Sequence, residues 1–177
     1  MSARPSFDAP WSLNGKTVIV TGGSRGIGQA IPVHLARKGL TKLAITYASN
    51  IEAAEDTLKR CQELGTIAEV VKRLGTPVID ILVNNAILSD PAKSYTRSFA
   101  ENFFKLKKAT FNSVFVGLTA TDSIKASQHM MPPGFLDGQI RDTTARERIG
   151  VPDDIAYVVS FLASEEARWV NGAAYLN

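Results

Sequence analysis

Thr21-Gly22-Gly23-Ser24-Arg25-Gly26-Ile27-Gly28 is a run whose residue types suit one task, the holding of phosphate. It follows the short apolar segment Thr17-Val18-Ile19-Val20 and precedes a helical pattern that begins near Ile27. Strand, glycine turn and helix start form the context that a phosphate-binding turn needs. Each glycine has its own use. Gly22 lets the chain reverse after the strand, Gly26 lets backbone approach a pyrophosphate, and Gly28 lets helix and strand pack closely. Free N–H groups at the helix start, together with its dipole, then hold the negative charge. A plain tight turn is the other use of such glycines; their position between strand and helix favours nucleotide binding. A second segment, Asp80-Ile81-Leu82-Val83-Asn84-Asn85-Ala86, reads as a buried strand ending in two asparagines, where an open α/β sheet faces its ligand.

The elements that must position these residues follow from hydrophobic periodicity. Strands are expected at Thr17–Val20, Lys42–Thr46, Ile79–Val83 and Thr110–Val116. A first helix runs over Gly26–Lys38, with Pro32 removing one backbone donor inside it. A second runs over Ile51–Leu64, its apolar stripe being Ala54, Leu58, Cys61 and Leu64. Thr66–Leu74 reads as a short helix on the spacing of Ile67, Val70, Val71 and Leu74, so no third strand is expected between the second helix and Ile79. Tyr95–Lys108 reads as a helix with Tyr95, Phe99, Phe103 and Leu106 on one face. The alternation implies an α/β fold, a Rossmann-like doubly wound parallel sheet, with residues 1–12 an extension and 13–177 a single domain. A doubly wound sheet of six or seven strands, at roughly 30 residues per step, wants more than about 200 residues. At 177 residues the chain is shortened.

The glycine run and Asn84-Asn85-Ala86 together strongly resemble the short-chain dehydrogenase/reductase family. A third match is Arg148-Ile149-Gly150-Val151-Pro152-Asp153-Asp154-Ile155-Ala156, continued by Phe161-Leu162-Ala163-Ser164 and Trp169-Val170-Asn171-Gly172. The resemblance runs in order from about Leu13 to the end of the chain. It implies a dinucleotide whose pyrophosphate lies over Gly22, Ser24, Arg25, Gly26, Ile27 and Gly28, with Asn84 near the adenosine portion. Val116-Gly117-Leu118-Thr119-Ala120-Thr121 resembles the family's Pro-Gly-x-x-x-Thr, with valine for proline, which would bring Thr121 to the nicotinamide end.

The catalytic part departs from the pattern. Tyr95-Thr96-Arg97-Ser98-Phe99-Ala100 resembles the family's Tyr-x-x-Ser-Lys-Ala, with Phe99 in place of lysine. By that resemblance Tyr95 is the proton donor, although the apolar stripe by itself favours a place in a core. The strand carrying the family's serine is not found, nor is the long helix after Asn-Asn-Ala, and Ile87 stands where the family usually has glycine. A neighbouring cation stabilises a phenolate, and each pKa unit of tuning is about 1.4 kcal/mol; Phe99 supplies none. His129 has no paired group nearby in sequence, His34 reads as a surface or packing residue, and Asn112 reads as a structural residue leading into the next strand.

Between Ala44 and Asn50 there is no acid to bind ribose hydroxyls, while Ser49 and Arg25 offer a hydroxyl and a guanidinium to a 2′-phosphate. NADP(H) is the cofactor expected. A net charge of +3, with Lys105, Lys107 and Lys108 the one basic cluster, excludes an extended nucleic-acid surface. The single Cys61 excludes an internal disulfide, no metal-ligand spacing is present, and no run approaches membrane-spanning length. Met1–Pro10 lacks the apolar core of a signal peptide, so the cytoplasm is the expected compartment. The function expected is an NADP(H)-dependent oxidoreductase, a ketone reductase of polyketide-like secondary metabolism with a small carbonyl or alcohol substrate. The alternative is a catalytically silent nucleotide-binding homologue or partner subunit. Members of the family commonly form homo-oligomers, through helices that are shortened or absent here.

Overall fold

The computed structural model describes residues 10–70, 78–86, 109–143, 147–172 and 174–176. Four strands, β1 (Thr17–Val20), β2 (Lys42–Ile45), β3 (Ile67–Val70) and β4 (Ile81–Val83), form one parallel sheet in the order β3-β2-β1-β4. In β1, Val18 and Val20 turn their side chains to one face and are fully buried, as are Leu43 and Ile45 beside them in β2. Strand alternation puts these residues in one layer with Ile81 and Val83 of β4. β4 is entered through Asp80, whose carboxylate accepts from the Thr17 N–H at 2.7 Å while its own N–H donates to the Thr17 carbonyl at 3.0 Å. Both pairings extend the β1–β4 ladder backward by one residue, so Ile79 lies outside the strand.

The helices α1 (Gly26–Arg37), α2 (Ile51–Glu63) and α5 (Pro152–Ala163) cover that layer, with α1 in the middle touching the other two. Helix α1 continues through Pro32, and its residues from Ile31 to Ala36 are all buried. A helix buried on every side needs no polar face. His34 belongs to this buried stretch, its ring edge-on to Tyr157 of α5 at 4.4 Å, so it is a packing residue and not a surface one. Helix α2 is capped by the Asn50 side chain, which accepts from the Ala53 N–H at 2.9 Å, and it buries Ala54, Thr57, Leu58 and Cys61.

The helix expected at Thr66–Leu74 is corrected. Residues Ile67–Val70 form β3, paired parallel to β2 from Lys42↔Ile67 to Ile45↔Val70. The spacing misled because the side chain that faces the core is small: Ala68 is 7% exposed while Ile67 is 63% exposed. Residues 71–77 lie outside the described residues.

A second parallel sheet pairs β5 (Ser113–Phe115) with β6 (Ala174–Leu176). The Asn112 amide donates to the Val170 carbonyl at 3.0 Å and the Gly172 N–H to the Phe111 carbonyl at 2.7 Å. Asn112 therefore leads into the strand as expected. Among the described residues no strand bond joins the two sheets. The second is held to the first by α5, which lies along α1, and by the chain start. There the Trp11 ring meets Phe161 at 5.7 Å and Lys38 at 5.0 Å, and the Trp11 backbone N–H donates to Glu166 at 2.8 Å. Two short helices, α3 (Asp122–Ser127) and α4 (Phe135–Asp142), follow β5 and have no buried residue. No helix of the described residues is long and apolar enough to cross a membrane.

Cys61 tests this packing. Burial in the α2 stripe pushes its thiol up to about 12, against the weaker pull of Arg60, so at pH 8 almost no thiolate exists. A thiol reagent such as DTNB is expected to react with Cys61 only as fast as the protein unfolds, and promptly in denaturant. Rapid stoichiometric labelling of the native chain contradicts the buried placement of α2.

Candidate nucleotide-binding site

The glycine turn hangs between two strands. From the β4 side, the Thr21 N–H donates to the Val83 carbonyl at 3.0 Å, one step beyond β1. From the β2 side, the Gly23 N–H donates to the Thr46 carbonyl at 2.8 Å and the Gly22 N–H to the Thr46 hydroxyl at 3.1 Å. The Thr21 hydroxyl uses all its capacity. It accepts from the N–H groups of Asn85 at 3.0 Å and Ala86 at 2.9 Å, and donates to the Asn84 side-chain oxygen at 3.2 Å. The Asn85 amide in turn donates to the carbonyls of Thr21 at 3.0 Å and Gly22 at 3.3 Å. Strand β4 is thereby tied to the turn by side chains where backbone pairing ends.

Two glycines are dictated by shape. Gly22 and Gly26 have φ of 65° and 55°, the left-handed region that side chains disfavour. At Gly28 a Cβ would collide with the Gly22 carbonyl and stand 2.6 Å from the Asn85 amide nitrogen. Helix α1 thus starts hard against the turn. No side chain caps it and no acid lies in its first turn, while Arg25 is exposed at the N-cap. Among the described residues no carboxylate caps its first N–H groups, where the dipole is positive.

Thr121 closes the turn from the second sheet. Its methyl carbon lies 3.2 Å from where a Gly26 Cβ would be, and its hydroxyl accepts from the Ile124 N–H at 3.4 Å as the N-cap of α3. Thr121 is placed by a bridge two residues earlier: Gly150 N–H donates to Leu118 at 2.9 Å and Ala120 N–H to Gly150 at 2.8 Å. Gly150 is itself fixed beside Asp154, whose carboxylate takes two Arg148 bonds at 2.8 and 3.0 Å and caps α5 through the Val151 N–H at 2.8 Å. That carboxylate raises the Arg148 pKa further, so the pair stays charged. Between α1 and the starts of α3 and α5 an open cleft of about 310 Å³ reaches from Gly26 and Thr121 to Arg37.

The expected residues therefore meet in part. Gly22, Ser24, Arg25, Gly26, Ile27 and Gly28 form one turn, with Asn84 joined through Thr21 and Thr121 against Gly26. Ile27 is half-buried against the core, and Ser49 is exposed three residues past Thr46. Tyr95, Phe99 and Ile87 lie outside the described residues. Sequence reading gave no part to Thr21, Gly23 or Asn85. Their signal was present, a threonine opening the glycine run and a second asparagine after the strand, but their partners lie more than 60 residues apart for Thr21 and Asn85. At Gly23 a Cβ would meet the Ile45 side chain at 2.7 Å.

Thr21→Val keeps the shape and removes the hydroxyl, leaving two backbone donors without their acceptor. A loss of about 1–2 kcal/mol is expected in urea unfolding, with Thr21→Ser close to the parent. A Thr21→Val protein within about 0.5 kcal/mol of the parent, the range of ordinary surface changes, shows that the tie does not hold the turn.

The comparisons with known proteins agree with this geometry. The family model described as short chain dehydrogenase matches residues 16–131, and the one described as enoyl-(acyl carrier protein) reductase matches residues 92–176. The short chain dehydrogenase penD of Penicillium thymicola is 38% identical over 252 residues, covering 93% of this chain and 91% of the relative. The short chain dehydrogenase asqE of Emericella nidulans is 37% identical, with 93% of each chain covered. Among solved structures, the angucycline C-6 ketoreductase LanV with bound NADP is similar, with a TM-score of 0.74 at 23% identity over 93% of this chain and 95% of that one. The penD alignment is longer than the 177-residue chain, so at least 75 of its 252 positions face a gap here. Positions of the relative inside the aligned range are therefore absent from this chain. With a parallel sheet ordered β3-β2-β1-β4 and a glycine turn at the end of β1, the chain belongs to the short-chain dehydrogenase/reductase family.

Proposed function

We propose that this protein is an NADP(H)-dependent oxidoreductase that acts on a small ketone or alcohol of polyketide-like secondary metabolism. The observation that carries the cofactor reading is the start of α1: uncapped, without an acid, flanked by left-handed Gly22 and Gly26 and by the exposed Arg25. These features fit a diphosphate, which supplies the charge and acceptors that the helix start lacks. The bound cofactor supplies the hydride. Within this reading the N–H groups of residues 26–28 bind the diphosphate, Thr121 bounds the path toward the nicotinamide, and Asn84 borders the adenosine side. Arg25 and Ser49 receive a 2′-phosphate, since no acid follows β2 to hold free ribose hydroxyls. The ketone substrate is supported by the kind of relatives the chain has, among them a ketoreductase with bound NADP. Tyr95 is the residue proposed to give the proton to the carbonyl oxygen.

A second reading, a nucleotide-binding homologue or partner subunit without turnover, is favoured by a specific observation. The chain lacks at least 75 positions present in its relative, and Phe99 follows Tyr95 by four residues, where the resemblance places the family's lysine. Phenylalanine can pack there but cannot stabilise a phenolate or grip a ribose.

NADPH at millimolar concentration is expected to raise the melting temperature more than NADH does. Arg25→Ala is expected to weaken NADPH binding roughly tenfold, about 1.4 kcal/mol, with little change for NADH. No stabilisation by either nucleotide overturns the binding reading. NADPH oxidation over a panel of ketones then divides the two functions. The reductase reading expects slow turnover that Phe99→Lys increases and Tyr95→Phe abolishes, while stabilisation with no turnover supports the silent homologue. Turnover that survives Tyr95→Phe assigns the proton to another residue.

A further inference from the structure

Among the described residues, three buried side-chain polar atoms have no hydrogen-bond partner: both ring nitrogens of His34 and the hydroxyl of Ser160. They sit on the two helices that hold the sheets together. His34 is 4% exposed on α1, its ring against Tyr157 of α5. Ser160, fully buried, follows Tyr157 by three residues and so lies on the same side of α5. A neutral imidazole tolerates this setting poorly, and an imidazolium would bring a second N–H donor with no acceptor. The charges that bear on His34 are Lys38 and Arg37 at the end of its own helix, which repel a proton, and Asp153 of α5, which attracts one. Burial weighs most, and the balance lowers the His34 pKa below its ordinary 6.5.

What happens at this contact reaches the glycine turn. Helix α5 begins beside Gly150, whose bridge to the Leu118–Ala120 segment places Thr121 over Gly26. No strand bond among the described residues holds the second sheet in place if α5 leaves α1. We propose that His34 is a proton-operated release in the α1–α5 joint: taking up a proton separates the helices and withdraws Thr121 from the glycine turn. Since the folded joint binds the proton less well than the opened one, stability is complete above pH 6.5. It falls as the pH drops from 6.5 toward the lowered value of the folded state. A difference of one proton changes the opening equilibrium by up to tenfold per pH unit in that window.

The experiment needs no nucleotide, so its outcome is independent of the proposed function. The chain has two tryptophans, and Trp169 is 94% exposed. In a Trp169→Phe background Trp11 alone reports, and it touches both Phe161 on α5 and Lys38 at the end of α1. Lowering the pH from 7.5 to 5.5 is expected to shift Trp11 emission reversibly and to lower the urea midpoint. His34→Gln, which cannot titrate, is expected to abolish both pH effects. In histidine-labelled protein, the His34 NMR signal is expected to titrate in step with Trp11 emission, with exposed His129 as the reference. A pH dependence that persists in His34→Gln overturns the proposal. So does titration of His34 while Trp11 emission stays constant, a result that decides the matter even if His34→Gln does not fold.

Discussion

The burial of α1 on all sides is the constraint on which the described structure depends. Six consecutive residues, Ile31 to Ala36, are out of water, so the helix must be covered by strand on one side and by helices on both flanks. Strand β1 fills the first need, α2 and α5 the others. In a sheet that is continuous from edge to edge, backbone bonds keep the strands in order and helices merely cover them. Here β4 and β5 are not bonded among the described residues, and helix packing carries the order across that break. Side-chain packing against α1, with the Trp11 contacts at its end, takes the place of a ladder.

The same helix sets the chemistry at its other end. Because α1 starts within contact of the Gly22 carbonyl, position 28 admits no side chain, and the N–H groups of the first turn stand beside the end of β1. The turn is not rigid by itself. Its geometry comes from Thr46 on one side and Thr21 with Asn85 on the other, so both neighbouring strands must be present before the turn takes this shape. Thr121 adds a third wall from the other sheet, through the Gly150 bridge and the Arg148–Asp154 pair. Half-exposed as that ion pair is, its contribution is geometric: two parallel bonds and an N-cap on one carboxylate fix the approach of α5.

The three long helices lie on one side of the four-stranded sheet. On the other side Ile67 and Leu82 are 63% and 56% exposed. The alignment with penD contains at least 75 positions that this chain lacks. A sheet of this class ordinarily buries both faces. On the face away from the helices Thr17 and Ala44 are buried while Ile67 and Leu82 are not. The described residues include the strand, glycine turn and helix start at which this architecture binds nucleotide, while Tyr95 and Phe99 lie outside them.

Much of this was legible in the chain itself. Four strands and both long helices of the first half follow from local periodicity, and the glycine run declares its turn, because strand, turn and helix there are contiguous and each obeys its own local rule. Asn112 was readable for the same reason. β3 was not: Ile67, Val70, Val71 and Leu74 keep a helical period, and only pairing with β2 reveals that Ala68, the least conspicuous side chain, is the one facing the core. The parts of Thr21 and Asn85 were hidden because a hydroxyl or amide is defined by its partner, and theirs are brought from across the sheet. His34 was ambiguous on a one-dimensional helix face and became a buried, unpartnered ring only when α5 was laid against it. Sequence by itself determined the local elements and the glycine turn, since these depend on neighbours along the chain. Tertiary structure alone decided what holds the turn and what joins the two sheets, since those depend on neighbours in space.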